Sequence, residues 1–295
     1  MLYLFGGIIL FVIFDSIRGY RTTKNKKKYL TQLFIWLPII IVILFLFGPL
    51  FVLSPIKLGY NAIKKDNVTV YYPSSKQVMI SNIFDSIGVA RRDNFAFYKT
   101  SFPTPIVIAL SELDMLRFGS NPRGGGSGNQ LVINIRAQRA TSNLIAHEMS
   151  HRYLAMVVGK SAPAFPRWFD EGLASYLGKM DYYKKPEELK TDLSTGRYRD
   201  DLLKMNGLTG ILRWQLMTLR NDSPGSYYGQ SYQMIKYLFD QFGENRVYQF
   251  VLSLKTNKFS DSFQRVFGMT EDQFHQQFVD YIKNYQPANR PLSSP

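Results

Sequence analysis

His147-Glu148-Met149-Ser150-His151, followed by Pro166-Arg167-Trp168-Phe169-Asp170-Glu171-Gly172-Leu173-Ala174-Ser175-Tyr176, is the stretch from which the rest of this chain is read. On a helix, positions i and i+4 stand on one face. Two imidazoles at that spacing can bind one Zn²⁺ at about 2.0–2.1 Å. A Glu one position after the first His lies beside the metal, where it can take a proton from water. Leu144, His147, His151, Leu154 and Val158 form one stripe, so the imidazoles point inward along the apolar face. The chain has 3 histidines, and two of them are here. Burying both with a carboxylate and no metal would be costly, which argues against a pair of ordinary core histidines.

A catalytic zinc takes three protein ligands and keeps one position open. The second segment supplies the third ligand. Pro166 suits the first turn of a helix. Glu171 follows Arg167 by one turn, and Gly172 is expected to let this helix approach the first closely. Nineteen residues separate His151 from Glu171, enough for a helix end, a loop and a return. Asp170 competes with Glu171 on residue chemistry alone. The chain contains 0 cysteines, so thiolate metal sites, disulfides and cysteine nucleophiles are excluded.

HEMSH followed by PRWFDEGLASY resembles the peptidase MA-like gluzincins, and more remotely thermolysin and the M1 aminopeptidases. The resemblance runs from roughly Val68 to Tyr285. It implies a zincin-like fold and peptide-bond hydrolysis. It also implies that Glu171, not Asp170, joins His147 and His151 on zinc, with Glu148 as general base. The aminopeptidases place an oxyanion-stabilising Tyr at a helix start. Tyr228 in Tyr228-Gly229-Gln230-Ser231-Tyr232 is similar to it, with Tyr227 and Tyr232 as alternatives. In this fold the strand before the HExxH helix pairs with extended substrate. Leu131–Ile135 occupies that place, which implies β-augmentation of a peptide backbone. Gly126-Ser127-Gly128-Asn129-Gln130 stands where aminopeptidases carry an acidic anchor for the substrate amine, and it has no acidic residue. That departure points to an endopeptidase. The rival expectations are a non-catalytic zinc scaffold or sensor, and a metal hydrolase acting on a non-protein amide.

Leu30 to Leu53 is 24 residues without a charge, long enough to cross a hydrocarbon core of about 30 Å. It is expected to be a transmembrane helix. Segment 1–17 has a shorter apolar run that ends at Asp15 and reads as a first span or an interfacial segment. Between them, segment 18–29 carries Arg18, Arg21, Lys24, Lys26, Lys27 and Lys28 and is expected to be a cytoplasmic loop. The rest of the chain then lies outside the cell membrane, against its lipid. The formal net charge of +14 fits anionic surfaces, whereas no basic helix with interleaved aromatics suggests nucleic acid.

The catalytic domain is expected over 66–286 as one α+β body, with 287–295 a disordered tail. Strands are expected at Asn67–Tyr72, Pro105–Leu110 and Leu131–Ile135. Helices are expected at Ser75–Gly88, Ser111–Phe118 and Thr141–Val158. Further helices are expected at Pro166–Leu177, Ser226–Phe242, Glu244–Leu254, Asp261–Phe267 and Glu271–Tyr285. Asn121–Asn129 is expected to be a loop. His275 reads as a surface residue and not a ligand.

Overall fold

The computed structural model describes residues 2–22, 26–48, 50–54, 56–75, 80–121, 124–128, 131–161, 164–180, 185–220 and 224–286. The protein is a mixed α+β chain with a small sheet and many helices. The elements begin with α1 (Leu2–Thr22), α2 (Lys26–Thr31), a π-helical turn (Gln32–Trp36) and α3 (Leu37–Phe47). They continue with β1 (Asn61–Lys65), β2 (Val68–Tyr72), α4 (Ile80–Tyr98), β3 (Thr104–Ala109), α5 (Glu112–Arg117), β4 (Gly126–Gly128) and β5 (Ile133–Arg136). Helices follow as α6 (Ser142–Val158), α7 (Arg167–Leu177), α8 (Pro186–Ser194) and α9 (Gly207–Arg220). The last four are α10 (Pro224–Phe242), α11 (Glu244–Ser253), α12 (Phe259–Phe267) and α13 (Glu271–Asn284). The expected tail 287–295 lies outside the described residues.

The chain divides into two compact units. The first comprises Met1–Ser81, Pro103–Ser127 and Leu131–Ala140. Its helix Lys26–Phe47, with mean hydropathy 2.6, is long and apolar enough to cross a membrane. It stops at Phe47, short of the expected Leu53. Gly48 is extended (φ −113°, ψ −165°), as a residue before proline favours. Phe51 then turns inward. Its ring is fully buried, stacked on Phe118 at 5.1 Å with the Arg117 guanidinium 4.6 Å from its centroid. The basic segment 18–29 is not a plain loop. Its first residues close α1 and its last open α2, while 23–25 lie outside the described residues. Lys and Arg are good helix formers, so charge alone does not interrupt the helices.

The sheet has the order β1-β2-β3-β5-β4. β1 and β2 form an antiparallel hairpin from Asn61↔Tyr72 to Lys65↔Val68, with Asp66 at φ 51° in the turn. β2–β3 and β3–β5 are parallel. Ile106, Val107, Ile108 and Ala109 are all buried, the continuous apolar run that a strand covered on both faces requires. β1 is exposed throughout and carries no alternating apolar signal. β5 lies between β3 and β4 and is not an edge. The edge on that side is β4, within the expected loop. Gly-Ser-Gly has no side chains that favour a pleated surface, so pairing there leaves no trace in the sequence.

The second unit comprises Asn82–Phe102, Gly128–Gln130 and Thr141–Pro295. Its first helix passes through Gly88 to Tyr98. Ala90, Asn94, Phe97 and Tyr98 prolong the buried stripe, and a single glycine costs only about 1 kcal/mol in a helix. The C-terminal aromatics form a core around α7. Trp168 stacks on Phe274 at 5.8 Å, and Phe169 meets Phe250 edge-on at 5.2 Å. His275 is not a bare surface residue. Its Nε2 lies 3.0 Å from the Tyr198 hydroxyl, and the two rings stack.

Glu271, in the first turn of α13, is pushed by burial up to about 7. The folded state therefore holds a proton that the unfolded chain releases near pH 4.5. Between those values the native state binds more protons, so this group's contribution falls as pH rises and is gone above about 7. Urea midpoints should be higher at pH 5 than at pH 8 from this source, and Glu271→Gln should flatten that difference. An unchanged pH profile in the variant would count against it.

Candidate metal centre

The α6 helix is bounded by local chemistry. Thr141 Oγ1 accepts from the Leu144 N–H, and Gly159 ends the helix in the left-handed region at φ 72°. From the α4 side, Asn94 Nδ2 donates to the Ala146 carbonyl at 3.0 Å, and the Tyr98 hydroxyl lies 2.9 Å from Ser150 Oγ. Together with a bond from the Tyr98 hydroxyl to the Ser150 carbonyl, these contacts tie the residues just before His147 and His151 to α4.

Two glycines let the helices close in. A Cβ on Gly178, just past α7, would lie 2.8 Å from the Asn143 carbonyl and 3.0 Å from His147 Cβ. Gly172, expected to face α6, faces α10 instead, where a Cβ would come within 2.7 Å of Ile235 Cγ1. Its backbone-to-backbone approach sets α10 against α7, while Gly178 serves the approach to α6.

The result brings His147, His151 and Glu171 together. His147 Nε2 and His151 Nε2 are 3.3 Å apart. Glu171 Oε2 lies 3.4 Å from the first and 3.5 Å from the second. A tetrahedral ion with bonds of about 2.0–2.1 Å separates its ligand atoms by about 3.3–3.4 Å. The three donors therefore already form one face of such a tetrahedron. This buried group could hold a metal ion. Asp170, the competing candidate, is directed elsewhere: its Oδ1 is 2.7 Å from His151 Nδ1. A proton on Nδ1 shared with Asp170 leaves the Nε2 lone pair for a metal. Ser175 Oγ is 3.4 Å from His147 Nδ1 and does the same more weakly.

Arg167 was not singled out from the sequence as a site residue. Its guanidinium donates to Asp170 Oδ2 at 2.6 Å and also to Glu171 Oε1. The spacing i, i+3 and i, i+4 on one helix was the available signal. Burial opposes its charge, but Glu171 and Asp170 outweigh that and strengthen it. Burial alone would raise Glu171, yet Arg167 and His151 hold it well below the usual carboxylate range. Burial likewise opposes charge on His151, and Asp170 and Glu171 override it, holding the imidazole well above its ordinary value.

Glu148 is buried on the same helix as the two histidines. Burial pushes its carboxyl above the usual range, against the nearby His147 and His151. The Gly128 N–H donates to this carboxylate, and a Cβ on Gly128 would collide with the Glu148 backbone carbonyl. Only a glycine fits there, and its neighbours in the sequence give no hint of the contact.

The sequence matches no known family model and no curated protein.

The three tyrosines separate by environment. Tyr227 is fully buried, and its hydroxyl lies 3.0 Å from Thr218 Oγ1. The Tyr232 ring is 6.0 Å from that of Tyr176. Tyr228 is half-buried, edge-on to Trp214 at 5.2 Å, and close enough to Arg167 to act on its charge. Trp214 in turn lies under the Arg167 guanidinium at 5.7 Å.

Proposed function

We propose that this chain is a membrane-anchored zinc metallopeptidase of the gluzincin type, with a zincin-like fold, acting as an endopeptidase outside the cytoplasm. The observation that carries the reading is the donor triangle of His147, His151 and Glu171 with a buried carboxylate, Glu148, on the same helix as the imidazoles. Two imidazoles and one carboxylate at tetrahedral spacing suit Zn²⁺ better than the harder oxygen-seeking cations. When bound, Zn²⁺ supplies Lewis acidity that polarises a carbonyl and makes water more acidic.

The chain's own groups do the rest. Glu148 takes the proton from the attacking water and passes it to the leaving amine. Its raised affinity for protons suits a group that must hold one in transit. Asp170 keeps the His151 ring in one tautomer, and Arg167 keeps Glu171 ionised. Tyr228 is the tyrosine assigned to the oxyanion, because the Tyr227 hydroxyl already faces Thr218. The substrate backbone is assigned to the edge strand β4, since β5 has neighbours on both sides. Gly128, the last residue of β4, already contacts Glu148.

Lys26–Phe47 anchors the chain, and the positive residues before it stay on the cytoplasmic side. The exposed apolar side chains of α1, among them Leu10, Phe11 and Phe14, are suited to lipid as well.

The test uses the purified full chain in detergent. We expect about one zinc per chain by elemental analysis and internal cleavage of a peptide library. A chelator should stop cleavage, and added Zn²⁺ should restore it. A zinc-loaded chain that leaves every peptide intact would sink the peptidase reading and leave a metal-binding scaffold.

A further inference from the structure

We propose that a cleft at the start of the Lys26–Phe47 helix binds the headgroup of an anionic glycerophospholipid. The proposal rests on the reading that this helix spans a membrane. The cleft has a volume of about 510 Å³ and is lined by Lys27, Lys28, Thr31, Gln32 and Trp36.

The lining residues follow one face. Lys28, Gln32 and Trp36 are spaced by four, and Lys27 and Thr31 flank them at the same spacing. At about 1.5 Å per residue, Lys28 to Trp36 covers about 12 Å along the axis. Over that length the chemistry changes in the order of a membrane leaflet. Two ammonium groups come first, then a hydroxyl and an amide, then an indole, then the apolar residues of α3. These match a phosphate, the glycerol esters and the first methylenes of a lipid. The indole of Trp36 is 57% exposed beside Ile35 and Phe34, which are exposed too. Indoles favour this interfacial depth.

Two further features belong to the same place. The π-helical turn Gln32–Trp36 lies within the cleft, and such turns recur at functional sites. The sequence carries no acidic residue between Ser16 and Lys65, so the charges of this stretch are all positive. A soluble polyanion would use the charges but not the indole and apolar surface that follow them, so the geometry favours a lipid.

The experiment reconstitutes the full chain into vesicles of phosphatidylcholine, with brominated phosphatidylglycerol or brominated phosphatidylcholine as quencher at equal mole fraction. Trp36 fluorescence is read, with Trp36→Phe giving the background from the other two tryptophans, Trp168 and Trp214. A lysine near an anionic surface contributes about fivefold in affinity. The phosphatidylglycerol preference in wild type should therefore be at least about fivefold. Lys27→Gln with Lys28→Gln should bring it close to parity. Arg18→Gln with Arg21→Gln, an equal loss of charge outside the cleft, should keep most of it. Equal quenching by both lipids in wild type would overturn the site and leave the membrane span standing. Equal losses in the two charge variants would overturn it in favour of diffuse attraction. No quenching by either lipid would remove the span and the site together.

Discussion

Glu148→Gln is expected to keep zinc at the wild-type level while peptide hydrolysis falls by about 10²–10⁴-fold. The amide has nearly the shape of the carboxylate and can still accept from the Gly128 N–H, so the site's packing is preserved. None of the three atoms in the donor triangle is altered. What disappears is the ability to take a proton. The loss should therefore sit in kcat, with KM and metal content little changed. Elemental analysis beside kcat and KM on one library-derived peptide separates these quantities. Wild-type turnover in this variant would show that Glu148 is not the base. Loss of zinc together with activity would show that it acts through the metal site and not on the proton.

Arg167→Met should destabilise the second unit by about 3–5 kcal/mol in the presence of a chelator, and by less when zinc is bound. The guanidinium is the cation that lies against both Asp170 and Glu171, and all three groups are buried. Removing it leaves two carboxylates whose remaining positive partners are imidazoles that must stay neutral at Nε2 to bind metal. A bound divalent ion restores part of the missing charge, which is why the penalty should shrink on loading. Urea unfolding of wild type and variant, with chelator and with zinc, measures both numbers. A variant as stable as wild type without metal would mean that Arg167 does not balance these charges.

The two imidazoles were legible in the sequence because their pattern is local. The i, i+4 spacing of His147 and His151 places them on one helical face whatever the surroundings, and Thr141 and Gly159 mark that helix's ends. Glu171 was preferred to Asp170 only through the resemblance of PRWFDEGLASY to the gluzincins, because the spacing after Arg167 leaves both carboxylates open. The parallel strands β2 and β3 announced themselves as β-branched runs.

The partners of these groups were not legible. That Asp170 faces His151 and not the ion depends on how α7 is rotated against α6, and no spacing along the chain encodes that rotation. The glycine roles follow the same rule: Gly172 serves α10 and Gly178 serves α6, a distinction made by neighbours far away in sequence. β1 and β4 escaped notice because neither buries an alternating apolar face. The end of the apolar helix was misplaced because hydropathy is blind to destination: Phe51 is as greasy as Phe47, yet it fills the core beside Phe118.

Residue order alone thus picked out His147 and His151 as candidate donors, since periodicity along a helix is a property of the backbone. Folding established what those side chains lean on, and which strand is left with an open edge. Contacts between segments remote in the chain depend on how helices rotate and strands are ordered, and no local pattern records either.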